Sequence, residues 1–246
     1  MTAGWLLAAV LAVLFFATFV RSTFGFGEAL LAVPLLSLAM PVDVAAPVAV
    51  LVSITVSIVA LTRDWRHVHA RSAARLVLAT LVGTPLGLLL LTHAPEAVVK
   101  AILGVLIAVF SLYLLLGRKT VALKDDRSAW GFGFAAGVLG GAYGMNGPPL
   151  VIYGTLRGWS PQHFRATLQG YFLPASVMAL IGYAVAGLWT PEVTHYFLLS
   201  LPVVIAGIVA GRAANRKMNP RLFLRCVHIG LIAVGCALLA QSLRAG

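Results

Sequence analysis

Apolar residues run along this chain in blocks, separated by short polar or Gly/Pro-rich stretches. The blocks fall roughly at 3–20, 28–40, 43–62, 72–92 and 97–117, then at 129–143, 148–157, 163–187, 193–211 and 222–242. A helix rises about 1.5 Å per residue and a bilayer's hydrocarbon core is about 30 Å thick, so a block of some twenty residues predicts a spanning helix. Blocks as short as 28–40 and 148–157 predict half-helices that enter the bilayer and stop. The expectation is an all-α integral membrane protein of eight to ten helical segments.

Two interruptions resemble one another. The first reads Arg21-Ser22-Thr23-Phe24-Gly25-Phe26-Gly27-Glu28, and the second reads Gly140-Gly141-Ala142-Tyr143-Gly144-Met145-Asn146-Gly147-Pro148-Pro149. At an offset near 119 Gly25 falls on Gly144, Gly27 on Asn146 and Leu31 on Leu150, and Pro41 comes within one residue of Pro161. At an offset of 125 Pro95 falls on Pro220 and Lys100 on Arg225. The pattern predicts a duplicated unit, with a first transmembrane repeat over 1–120, a linker over 118–127 and a second repeat over 128–246. Broken apolar segments at matching places in two halves point to a transport site between repeats.

Charge placement then predicts how the short blocks fold. The loops at 63–75, 117–127 and 212–225 hold thirteen basic residues: Arg63, Arg66, Arg71, Arg75, Arg118, Lys119, Lys124, Arg127, Arg212, Arg216, Lys217, Arg221 and Arg225. The links at 93–96 and 188–192 hold none, and Lys100 and Arg244 are the few basic residues expected on the other side. Basic loops stay cytoplasmic, which a single crossing over 129–157 would contradict. A hairpin over 129–157 that enters and leaves on the cytoplasmic side removes the conflict, and 3–20 with 28–40 becomes its counterpart from the opposite side. Each half is then a hairpin plus three full spans, and the second copy is inverted relative to the first.

Composition agrees with this picture. The chain has 246 residues, 61% hydrophobic and only 10% charged, with a mean hydropathy of +0.98, against about 25% charged in soluble domains. A net charge of +11 confined to loops reports orientation, so nucleic acid is excluded as a partner. The first twenty residues lack a basic start and a small-residue cleavage site and read as a membrane segment, not a signal peptide. Cys226 and Cys236 lie about 15 Å apart on one helix and cannot pair. No His set has metal-ligand spacing, and no P-loop, nucleophile elbow or paired carboxylates are present, so neither cofactor, metal nor enzymatic activity is expected.

The candidate chemistry is that of an anion site. A half-helix starting at mid-membrane points free N–H groups and a positive dipole end inward, and Gly25, Gly27, Gly144 and Gly147 would let a ligand approach the backbone; close helix packing is their other role. Arg21 is an anion ligand or the ion-pair partner of Glu28. Glu28 carries a coupling proton, pairs with Arg21 or caps its half-helix. Arg165 either meets substrate or snorkels, and Gln169 lies deeper on the same helix. Ser22, Thr23, Tyr143 and Asn146 would bond an oxyanion or neighbouring helices.

The two motifs, with Pro34 after the first and Phe164-Arg165-Ala166-Thr167 after the second, resemble the sulfite exporter TauE/SafE family, also called the toluene-sulfonate uptake permeases. Glu28 departs from that family's pattern, where a small residue is usual. The resemblance implies transport of sulfite, sulfonates or other small sulfur-containing anions. The combined expectation is a secondary-active, alternating-access transporter in a bacterial inner membrane, with a small anionic substrate and a lipid bilayer as partners. A coupling proton or cation and a homo-oligomer are left open; an anion channel and a non-transporting membrane scaffold are the alternatives.

Overall fold

The computed structural model of the chain describes residues 3–64, 68–116, 123, 125–214 and 220–245. Among these the chain forms ten helices and no strand: α1 (Ala3–Phe24), α2 (Glu28–Leu36), α3 (Val42–Asp64), α4 (Ala70–His93), α5 (Glu96–Leu116), α6 (Ala129–Tyr143), α7 (Gly147–Leu156), α8 (Pro161–Val185), α9 (Pro191–Ala214) and α10 (Pro220–Ala245). These match the ten apolar blocks in number and order. Large apolar side chains such as Val82, Val109 and Val209 face outward, while Arg21, Glu28, Ser53 and Ser57 are buried. That distribution is what lipid as the outer solvent selects, and the protein is a multi-pass, all-α integral membrane protein.

The breaks fall where the backbone requires glycine. Gly25 and Gly27 have φ of 90° and 100°, and Gly144 has φ of 64°, values that side-chain-bearing residues adopt only at a cost. Residues 129–157 are therefore not one rod. Both ends of this second hairpin lie together: Leu123 N donates to Leu156 O at 2.8 Å, and Tyr153 Oη donates to Asp126 at 2.8 Å. Asp126 also meets Arg157 at 3.1 Å and accepts from Ser72, at the start of α4. Desolvation alone would push Asp126 up, but the hydrogen bonds from Tyr153 and Ser72 and the charges of Arg157 and Arg75 outweigh it and hold the carboxyl below its ordinary range.

The same end of the bundle gathers the described basic loop residues. Arg212, near the end of α9, donates to Val59 O of α3, and His69 stacks on Trp159. Arg66, Arg118, Lys119, Lys124, Arg216 and Lys217 lie outside the described residues, as do the side chains of Arg63 and Arg221. At the other end Gln241 donates to Leu38 O, just beyond α2, and Asp43 and Glu96 line a shared cleft.

Close glycine contacts fix each hairpin's long arm to a helix of the other half. A Cβ at Gly83 or Gly87 of α4 would strike the carbonyls of Phe134 and Val138 on α6; a Cβ at Gly207 or Gly211 of α9 would strike those of Phe15 and Phe19 on α1. The two contacts match residue for residue, at an offset of 124 on the spanning helix and 119 on the arm. Both are of the small-xxx-small kind that lets membrane helices pack backbone to backbone. One difference from expectation concerns α1, whose 22 residues exceed the 15 of α6. It is long enough by length and composition to cross, so seven described helices meet that criterion, not six; the chain still turns back at Gly25–Gly27 into the short α2.

Candidate functional site

The two hairpin tips meet at mid-bundle around one guanidinium. Arg21, three residues from the end of α1, is 3% exposed. Its Nη1 donates to Glu28 Oε2 at 2.5 Å and to Ser53 Oγ at 2.6 Å, and its Nη2 donates to Ser57 Oγ at 2.5 Å and to Gln169 Oε1 at 2.9 Å. Phe172 lies under the guanidinium, 4.9 Å from its carbon, a cation–π contact that strengthens away from water. Ser53 and Phe172 fall at the midpoints of α3 and α8, which places the charge at the depth where it is most costly unless paired.

A narrow cavity of about 20 Å³ borders this cluster, lined from the first hairpin by Arg21 and Phe26 to Leu30, and from the second by Gly144 and Asn146 to Pro148. Ser53, Phe110 and Phe172 complete the wall. The space holds about one water molecule. Glu28 Oε1 and Arg21 Nε are both buried with no hydrogen-bond partner, so each end of the ion pair keeps one unused polar atom.

The first turn of α2 adds backbone donors. Gly27 caps it without a side-chain bond, and the N–H groups of Glu28, Ala29 and Leu30 lie in the orphan positions of a helix start. The second tip is poorer: Pro148 and Pro149 occupy the first turn of α7 and have no N–H to give. Instead Asn146 ties that tip down, donating to Ala136 O at 3.0 Å and towards Tyr171 Oη, which shares a 2.6 Å bond with Thr80.

Of the expected site residues, Arg21, Gly27, Glu28, Gly144, Asn146 and Gly147 come together on the cavity wall, and Gln169 joins through Arg21 and through Gly25, whose carbonyl accepts from its Nε2 at 3.0 Å. The fold does not bring Ser22, Thr23, Tyr143 or Arg165 to that wall. Thr23 donates to Phe19 O and Gly211 O, and Ser22 packs on Gly211, both within the α1–α9 contact. Tyr143 donates to Val99 O, and Arg165 lays its aliphatic stem on Gly25. Ser53 and Ser57 were not anticipated, although two serines one helical turn apart in an apolar run are a readable signal. Phe172, one turn beyond Gln169, carried no such mark.

A buried, counter-ion-paired guanidinium between two opposed broken helices is the arrangement of a membrane transporter for a small solute. Comparison with known proteins narrows the class: residues 10–238 match the profile of the sulfite exporter TauE/SafE family, and the chain belongs to that family. It is 27% identical over 239 residues to a probable sulfite/organosulfonate exporter TauE of Cupriavidus necator, covering 93% of this chain and 91% of that protein. No solved structure matches it.

Proposed function

We propose that the chain is a secondary-active exporter of sulfite or small organosulfonates, working by alternating access between two inverted repeats. The single observation that carries the site is Arg21, a buried cation at the meeting point of both hairpin tips, beside the open first turn of α2. The guanidinium fork suits a planar-edged oxyanion, and the helix start adds partial positive charge where that anion would sit. Gly27, Gly144 and Gly147 leave the backbone open to it, Ser53, Gln169 and Asn146 offer neutral hydrogen bonds, and Glu28 is the coupling group.

The repeats, 1–120 and 128–246, are supported by the exchanged glycine contacts of α1 with α9 and of α6 with α4. Basic loop residues at one end support an orientation with that end cytoplasmic, in a bacterial inner membrane. The sequence holds no nucleotide-binding motif, which favours a gradient as the energy source. The test is flux in proteoliposomes: sulfite or an organosulfonate leaves loaded vesicles in the wild type, accumulates against its gradient when a driving ion is supplied, and stops in Arg21→Ala. Flux without accumulation under any ion gradient would make the protein a channel.

A further inference from the structure

Glu28 stands where a substrate anion would stand. It is 1% exposed, its Oε2 accepts from Arg21, its Oε1 is buried without a hydrogen-bond partner, and the residue lines the cavity between the two tips. The cavity is too small for a sulfur oxyanion while this pair is closed. Arg21 is the charged group that faces Glu28. The neighbouring elements present neutral groups: Ser53 from α3, Asn146 and Pro148 from the second tip, Gln169 and Phe172 of α8 through Arg21, and Phe110 from α5, with His228 of α10 edge-on behind it at 6.4 Å. Arg165 of α8 lays its aliphatic stem on Gly25 nearby, but among the described residues Arg21 is the cation paired with Glu28. A single paired cation cannot hold two buried anions, because the extra charge has nothing to offset its desolvation.

Resting on the function proposed above, we infer that Glu28 is a tethered surrogate for the substrate: its carboxylate occupies Arg21 in the empty carrier, and an oxyanion replaces it only as Glu28 takes up a proton. The step balances. The paired carboxylate and guanidinium, plus one proton and one monoanionic sulfonate, give a neutral carboxylic acid and a guanidinium–sulfonate pair. The site carries zero net charge both empty and loaded. Each sulfonate therefore crosses with one proton in the same direction, so export runs on the sulfonate's own outward gradient and an inward proton gradient opposes it. The loaded and empty carriers are equally indifferent to membrane potential. The proton lands on the carboxyl group whose Oε1 is unpartnered, and the freed guanidinium keeps its Ser53, Ser57 and Gln169 contacts while Nε supplies a further donor.

The experiment counts protons per sulfur in proteoliposomes with a trapped pH dye, using methanesulfonate, which is permanently ionised, and sulfite. Wild-type protein is expected to move one proton with each methanesulfonate, at a rate unchanged by an imposed potassium–valinomycin potential. Glu28→Gln lowers the proton count by one for whichever anion crosses and makes the flux voltage-sensitive. Binding of methanesulfonate to the wild type weakens about tenfold per pH unit once Glu28 ionises, and this slope is absent in the variant. Methanesulfonate flux without protons in the wild type, or an unchanged proton count per sulfur in Glu28→Gln, overturns the inference while leaving the transporter reading intact. If Glu28→Gln fails to fold, the wild-type methanesulfonate count decides alone. Should methanesulfonate not cross, the sulfite comparison between the two proteins decides. Absence of any sulfur-anion flux overturns the function itself and the inference with it.

Discussion

The two hairpin tips occupy matching places but are built from different chemistry. The first carries a guanidinium, a carboxylate and a helix start with N–H groups at Glu28, Ala29 and Leu30. The second carries no charge, replaces two of those N–H groups with Pro148 and Pro149, and spends Asn146 on holding α6. A shared backbone plan has thus been divided: the first tip is suited to binding and coupling, the second to closing the space opposite it. In the function proposed above, the two tips flank one seat, and the charged groups of that seat belong to the first half.

The sharpest way to break that comparison is to remove charge from the first tip. Arg21→Ala leaves Glu28 buried without its counter-ion and is expected to destabilise the protein by about 3–5 kcal/mol, read as a lower unfolding temperature in detergent. The double variant Arg21→Leu/Glu28→Leu should recover most of that stability and none of the transport. If the single and double variants unfold alike, the pair is not the heart of the tip.

The second tip is expected to fail through shape. Gly144 has φ of 64°, and a Cβ there would meet Val50 at 2.7 Å, so Gly144→Ala should cost about 2 kcal/mol from the left-handed backbone and the contact. Gly147→Ala, three residues on, meets nothing within 4 Å and should leave stability within about 0.5 kcal/mol. Equal losses at the two positions would remove the shape argument.

Smaller effects separate the seat from its supports. Ser53→Ala deletes one of the four hydrogen bonds that Arg21 donates to Glu28, Ser53, Ser57 and Gln169 and should cost about 1 kcal/mol, visible as a several-fold weaker sulfonate affinity with near-normal folding. The mildest change concerns the clasp at the base of the second hairpin. Asp126 is held below its ordinary value of 3.8, so its stabilising share is complete above that pH and is lost as pH falls through the lower folded value. Asp126→Asn should lower stability modestly at neutral pH, where that share is complete, and flatten the acid limb of the stability curve so that the two proteins converge below about pH 4.

Much of this protein was legible from residue order, because lipid is an exacting solvent. The ten segments, the pause at Gly25–Gly27 and at Gly144, and the folding back of 129–157 follow from block length, glycine placement and loop charge alone. Arg21 and Glu28 were conspicuous as charges inside apolar sequence, and their flanking of one motif marked it as a candidate site. The sequence alone could not choose between ligand and ion-pair roles for Arg21, since that depends on a distance.

Only the tertiary structure decided which side chains share the centre. Ser22 and Thr23 sit beside Arg21 in sequence yet turn into the α1–α9 contact, because successive helical residues point about 100° apart. Ser53, Ser57 and Phe172 come from helices remote in sequence and reach Arg21 through packing that no local pattern encodes. The glycine contacts of α4 with α6 and α9 with α1 were hidden for a related reason: the two halves keep one spatial relation while the offset between matching residues drifts from 119 to 124. Solvent matching sets which segments enter the membrane and where they turn; side-chain partners are set by the three-dimensional meeting of those segments.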